Sequence, residues 1–201
     1  KDLDISMIAP SHGPLYDEPG FIVEAYKDWI SDTPKNIVVI PYISMHNSTR
    51  IMVDYLVSSL TERGIKVERF DLYLVSSLTE RGIKVERFDL SSVDLGKLAM
   101  SLVDAGTVIV GTPTVLVGPH PNVIYAVYLL NALRSKTRYV SIVGSYGWGG
   151  KTIDIIKGML TNLKVEVLDP VIVKGLPRKE DLDTLDRLAD TIAEKHKEFS
   201  T

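Results

Sequence analysis

YLVSSLTERGIKVERFDL stands at residues 55–72 and again, without a single change, at 73–90. Ancient repeats drift apart, so identity over this length reads as deliberate engineering or as a very recent duplication. Each copy holds the end of an amphipathic helix (Leu56, Val57 and Leu60 in the first), a glycine stop (Gly64) and a short strand (Ile65, Val67, Phe70). The doubled unit is one helix-strand step of an alternating α/β chain, and function has to be sought in the residues around it.

Those residues continue the alternation. NIVVIPY at 36–42 reads as a first strand, followed by a helix near 48–63 and a strand at 65–70. The second copy offers a shorter helix at 73–81 and a strand at 83–88. Next come a helix near 93–104, the strand TVIVG at 107–111, a helix at 122–133, the strand YVSIVG at 139–144, a helix near 152–163 and a strand region around 165–173. In the closing helix Leu182, Leu185, Leu188 and Ile192 recur at three- and four-residue spacing, one stripe facing a core. Unbroken Val/Ile runs are buried on both faces, which predicts an α/β three-layer sandwich, a parallel sheet between two helical layers.

With 201 residues, 45% of them hydrophobic, and a net charge of −3, the chain can bury a full core in one compact domain. The acidic balance has no basic block and no apolar run approaches membrane-spanning length, so neither nucleic acid nor a membrane is an expected partner. Cysteine is absent, which excludes disulfides, thiolate metal sites and cysteine nucleophiles and suits a reducing cytoplasm. The opening Lys-Asp-Leu-Asp has no signal-peptide character; the expected location is cytoplasmic.

In such a sheet ligands sit beyond the carboxyl ends of the strands, where the winding reverses. Three loops lie there. The first is Ser44, Met45, His46, Asn47, Ser48 and Thr49, rich in hydroxyls and backbone donors. At a helix N-terminus it suits a phosphate dianion, and it equally suits a plain turn capped by Asn47 or Ser48. The second, 111–121, is long, apolar and holds three prolines; the third, 144–150, sets Tyr146 and Trp148 among four glycines. Either of these, taken alone, reads as a connection. A phosphate cradle, an apolar wall and a glycine-aromatic loop together are what a planar aromatic cofactor with a phosphate tail requires. Flavin mononucleotide (FMN) meets that description.

YISMHNST (42–49), GTPT (111–114) and GSYGWGG (144–150) resemble, in order and in spacing once one repeat copy is removed, the flavodoxin-like domain of the flavodiiron proteins, also called A-type flavoproteins. The resemblance covers nearly everything from residue 36 onward. It implies that residues 44–49 bind the FMN phosphate, that Pro113, Thr114, Val115 and Leu116 flank the ribityl chain and ring, and that Ser145, Tyr146, Gly147, Trp148, Gly149 and Gly150 cover the isoalloxazine. MIAPSHGPLY at 7–16 looks like the family's exit from a preceding metallo-β-lactamase-like domain, with His12 matching its last iron ligand. The implied division is 1–35, a leader remnant with a linker helix, and 36–201, a flavodoxin-like domain.

His46, His120 and His196 show no ligand spacing, so no metal is expected and His12 reads as an idle ligand. No catalytic acid-base pair stands out, and Ser44 lacks a histidine-carboxylate partner pattern. The resemblance thus implies an FMN-binding electron-transfer module without the di-iron domain, not a complete enzyme by itself, that works with a redox donor protein or a reduced coenzyme. The stretch 21–30 has enough apolar surface to pack against something, a second chain included, which leaves a homodimer open. The alternative is an engineered, non-catalytic scaffold that tests conversion of one fold into another, with flavin binding weak or lost.

A five-stranded flavodoxin sheet has the order 2-1-3-4-5, and one more unit added outside strand 2 gives 3-2-1-4-5-6, the Rossmann order. A strand of about 20 Å and a helix of about 13 Å just close that crossover, with Asp71 capping and Gly82 ending the helix. Ejecting one copy as a loop would leave its apolar residues in water, so incorporation is expected. Exchange of the copies at one strand position, or domain swapping, stays open. The first strand-helix turn lacks G-x-G-x-x-G, so NAD binding is not expected.

Overall fold

The computed structural model describes residues 5–63, 66–69 and 84–199, with 66–69 described by their backbone alone. The chain divides after Thr33 into two units. In the first, Ile8 and Tyr16 exchange backbone hydrogen bonds of 2.9 and 3.0 Å across an antiparallel bridge. The helix α1 (Pro19–Ile30) opens on Pro19, where a missing N–H removes no helical bond. Tyr26 and Trp29 meet edge to face on it at 5.8 Å.

The second unit is built on a parallel sheet of β1 (Lys35–Tyr42), β2 (Lys66–Arg69), β3 (Lys84–Asp89), β4 (Ala105–Val115), β6 (Tyr139–Tyr146), β7 (Glu166–Val167) and β8 (Val171–Lys174), while β5 (Gly118–Pro119) turns back antiparallel on the end of β4. Across the sheet the order is β2-β3-β1-β4-β6, and β7 and β8 pair in turn with the far side of β6. The expected strand region 165–173 is split because Pro170 brings no N–H to the ladder.

Alternation along the strands assigns the faces. Val38, Ile40 and Tyr42 of β1 pack under α2 (Ser48–Glu62) and α6 (Lys179–Lys195), with Leu56, Leu60, Leu185 and Ile192 fully buried. Val39 and Val108 pack on the other face beneath α3 (Leu95–Asp104), α4 (Pro121–Ala132) and α5 (Thr152–Met159), with Leu98, Leu130 and Ile156 fully buried. Each such side chain contributes roughly 1.5–3 kcal/mol, so both helical layers are held mainly by burial. The three-layer α/β sandwich follows as expected.

The strand order does not follow. In place of 3-2-1-4-5-6, the strand of the second copy lies beside β1, with Ile37 opposite Lys84 and Tyr42 opposite Asp89. The first copy's strand stays in the sheet but forms its edge, paired with β3. Identical side chains cannot favour either copy, so the connections decide. Leu90 N–H donates to the Tyr42 carbonyl at 2.8 Å, and Asn122 Nδ2 donates to the Leu90 carbonyl at 2.9 Å. Asp94 then caps α3 by accepting from Gly96 and Lys97 N–H at 2.9 and 3.2 Å. This set closes when the strand that feeds α3 is next to β1. The expected helix at 73–81, with its Asp71 cap and Gly82 stop, lies outside the described residues.

Candidate functional site

Strand β1 ends at Tyr42 beside Gly111 of β4, and β4 runs on until Thr112 and Pro113 lie beside Gly144 and Ser145 of β6. From β1 the chain leads to β2 and β3 on one side, and from β4 it leads to β6 on the other. The winding therefore reverses between β1 and β4, the place where a crevice opens at the carboxyl edge. All three expected loops leave the sheet along that edge.

In the first loop Ile43 N–H donates to the Gly111 carbonyl at 3.0 Å. Asn47 takes φ +63°, a left-handed conformation that asparagine tolerates, and turns the chain into α2. It occupies the cap position, yet its side chain makes no capping bond. Ser44 Oγ instead accepts from Arg50 N–H at 3.2 Å. Met45, His46 and Asn47 are exposed; Ser48 and Thr49 are buried. Among the described residues the Thr49 hydroxyl has no hydrogen-bond partner, which costs about 1–3 kcal/mol for a buried group. An acceptor from outside the chain, placed at the positive end of α2, would remove that cost.

The second loop is not the open connection expected. Strand β4 continues to Val115 and folds back as a hairpin, with Thr114 opposite Pro119 and Val115 opposite Gly118. Its two turn residues, Leu116 and Val117, have φ of +48° and +73°. A two-residue turn with both φ positive favours Asn-Gly, and a β-branched residue there is strained. Leu116→Asn with Val117→Gly is expected to raise stability by about 1–2 kcal/mol, read as a higher urea midpoint at constant slope. A midpoint that falls would show that contacts of these side chains outweigh the strain. At the base of the hairpin, Thr112 Oγ accepts from His120 N–H at 3.1 Å and donates to the Pro113 carbonyl at 2.8 Å.

The third loop is pinned at both ends. Tyr146 carbonyl accepts from Gly175 N–H at 2.9 Å, and Lys151 N–H donates to the Val117 carbonyl at 2.7 Å. Thr114 and Thr152 hydroxyls lie 3.0 Å apart. A Cβ on Gly150 would meet Thr114 Cγ2 at 2.7 Å, so the second and third loops are in contact. Between the pins, Gly147 and Gly149 face open space, Ser145 and Tyr146 are half-buried, and Trp148 is 83% exposed. Met45, Leu116, Val117 and Trp148 together give the edge an exposed apolar rim, a feature that marks binding surfaces.

Sequence reasoning missed a polar cluster on the flank of the first loop. Arg87 bonds to Asp54 and stands 5.6 Å over the Tyr42 ring, whose hydroxyl lies 3.4 Å from Asp89 Oδ2. Burial holds the Tyr42 phenol above its ordinary pKa. Arg87 sits inside the repeat, whereas function was to be sought in the residues around it. A separate cleft is lined by Leu90, Ser92, Leu95, Asn122 and Tyr125 among others, and none of the expected site residues lines it. Among the described residues no group of three metal-ligating side chains gathers, and no helix is long and apolar enough to cross a membrane.

No family model matches the chain. It is 33% identical over 195 residues to the nitric oxide reductase of Moorella thermoacetica, a match that covers 96% of this chain and 44% of that protein. The rubredoxin oxygen:oxidoreductase structure from Desulfovibrio gigas superposes with a TM-score of 0.81 at 28% identity, over 96% of this chain and 45% of that one. The structure of a flavodoxin from the domain Archaea superposes with a TM-score of 0.61 at 21% identity, over 80% of this chain and 99% of that one. The chain thus spans less than half the length of the curated relatives it matches. With the parallel order, the reversal between β1 and β4 and these likenesses in view, the chain is a flavodoxin-like domain whose homologues include flavodiiron proteins.

Proposed function

We propose that this domain binds FMN at the carboxyl edge of β1, β4 and β6 and serves as the flavin-bearing part of an electron-transfer protein. The observation that carries the reading is the buried, unpartnered Thr49 hydroxyl at the N-terminus of α2, on the same sheet edge as the exposed Leu116 and Trp148. The donor set fits a phosphate. Residues 44–49 would hold the phosphate, Pro113 to Leu116 would flank the ribityl chain and ring, and Ser145 to Gly150 would cover the ring. When bound, FMN supplies one- and two-electron transfer. The chain's own residues orient it: the hairpin forms a wall, and the pinned third loop offers Tyr146 and Trp148 as aromatic faces. Within this reading residues 1–35 lead from a metallo-β-lactamase-like part, and the electron source is a redox protein or a reduced coenzyme. Rubredoxin in the name of the Desulfovibrio gigas relative supports a protein donor.

The test begins with the absorbance spectrum of the purified protein and titration of the apo-form with FMN, followed by flavin fluorescence. Riboflavin, which lacks the phosphate, is titrated beside it. Thr49→Val is expected to weaken FMN binding about 30-fold, since a hydrogen bond to a charged group contributes about 2 kcal/mol, and to leave riboflavin binding unchanged. A folded protein that neither carries flavin nor quenches its fluorescence would reject the reading and favour the non-catalytic scaffold. Equal losses for both ligands would remove the phosphate from Thr49.

A further inference from the structure

We propose that the strand position beside β1 accepts either copy of the repeat. The sheet then exchanges between the order described above and one in which the first copy's strand lies against β1 and the second copy's strand forms the edge. The proposal does not depend on the flavin reading.

The side chains that fill this position all come from KVERFD. Val85 packs into one core and Phe88 into the other, and Arg87 reaches Asp54 and the Tyr42 ring. The same six residues stand at 66–71, so whichever copy is seated offers the same burial and the same ion pair. Moreover, β2 and β3 pair each residue with its own counterpart: Lys66 with Lys84, Val67 with Val85, Glu68 with Glu86 and Arg69 with Arg87. Exchange therefore needs no change of register and turns no side chain to the opposite face.

Only the connections tell the two orders apart. In the order described, the link from β3 to α3 is direct and keeps the two Leu90 bonds, to the Tyr42 carbonyl and from Asn122. Strand β2, three residues after α2 in the sequence, lies at the edge, one position beyond β3. In the exchanged order the α2 link becomes the direct one, and the five residues 90–94 cross one further strand spacing of about 4.8 Å. Five extended residues reach about 16 Å, so they can cross it. Leu72 is the first copy's counterpart of Leu90.

The absence of cysteine makes the exchange readable by cross-linking. Ile37 is the register partner of Lys84, one strand spacing or about 4.8 Å away and within disulfide reach; Lys66 is two spacings away, about 9.6 Å, and beyond it. Ile37→Cys with Lys84→Cys is expected to form an intramolecular disulfide under mild oxidation. Ile37→Cys with Lys66→Cys is expected to form one too, as a monomer, accumulating with time because oxidation traps each exchanged molecule. Ile37→Cys with Lys164→Cys, whose second site precedes β7 on the far side of the sheet, sets the background. A 37–66 yield at that background, or a 37–66 cross-link found only between chains, overturns the proposal. A second measurement needs no substitution. Saturation-transfer NMR on the Leu90 amide of the unaltered protein, which donates to the Tyr42 carbonyl in the order described and would lose that partner in the other, is expected to reveal a second state. Should either double variant fail to fold, the absence of that state overturns the proposal.

Discussion

Gly144→Ala is expected to destabilise the protein by about 3 kcal/mol or more, at or beyond the upper end of ordinary overpacking. Gly144 lies in β6 directly opposite Thr112 of β4, and a Cβ there would stand 1.8 Å from the Thr112 carbonyl oxygen. The obstacle is backbone, so no rotamer change relieves it. Either the β4–β6 ladder opens at the point where both strands enter the candidate site, or the chain does not fold. Urea unfolding measures the loss as a lower midpoint at unchanged slope. Gly147→Ala, where a Cβ meets nothing within 4 Å, is the matched control and is expected to stay within about 0.5 kcal/mol of the parent. Equal stability of the two variants would contradict this packing.

Acidification should produce the second large effect. His196 follows α6, 1% exposed, with Nε2 2.7 Å from Thr107 Oγ and Nδ1 2.7 Å from Asn36 Oδ1. Asn36 Oδ1 accepts, so Nδ1 carries the proton and Nε2 accepts from Thr107, the pattern of a neutral ring. Phe199 meets the ring edge to face at 5.0 Å. Burial pushes the pKa down from 6.5 to about 4. The folded pKa is the lower one, so the unfolded chain takes up the proton first and stability rises with pH. The contribution is fully present above pH 6.5 and is lost as pH falls toward 4. Its slope is about 1.4 kcal/mol per pH unit, a total of about 3 kcal/mol. Unfolding free energies at pH 6.5 and pH 5 should differ by about 2 kcal/mol. His196→Gln should lower stability at neutral pH and flatten that difference. The carboxylates held low by hydrogen bonds and nearby cations, such as Asp186 with the Ser59 and Tyr55 hydroxyls and Arg63, lose their share at lower pH, as they titrate through their depressed values. An unchanged slope in His196→Gln would show that another group is responsible.

Much of this molecule is legible along the chain. NIVVIPY, TVIVG and YVSIVG mark three central strands because a strand covered on both sides must be apolar throughout. Their carboxyl ends then point to loops 44–49, 111–121 and 144–150. What each loop does locally is less legible. Leu116 and Val117 carry no turn signal, yet they close a hairpin, because the pairing of Thr114 with Pro119 imposes a turn for which neither residue is suited. The unpartnered Thr49 hydroxyl is invisible in a string of polar residues. It emerges only once α2 has packed and shut water away from it. His196 offers no motif at all; the fold sets its chemistry by seating it between Asn36 and Thr107, distant in sequence.

By itself the chain determines the element types, the layered α/β class and the edge of the sheet along which the three loops of the proposed site leave it, since periodicity and apolar runs depend on near neighbours alone. The seating of the repeat is different. Two identical strands carry identical propensities, burial and charge, so no local property can rank them beside β1. That choice rests on the path from Leu90 past Tyr42 and Asn122 into α3, a set of contacts that exists only after the chain has closed on itself in three dimensions.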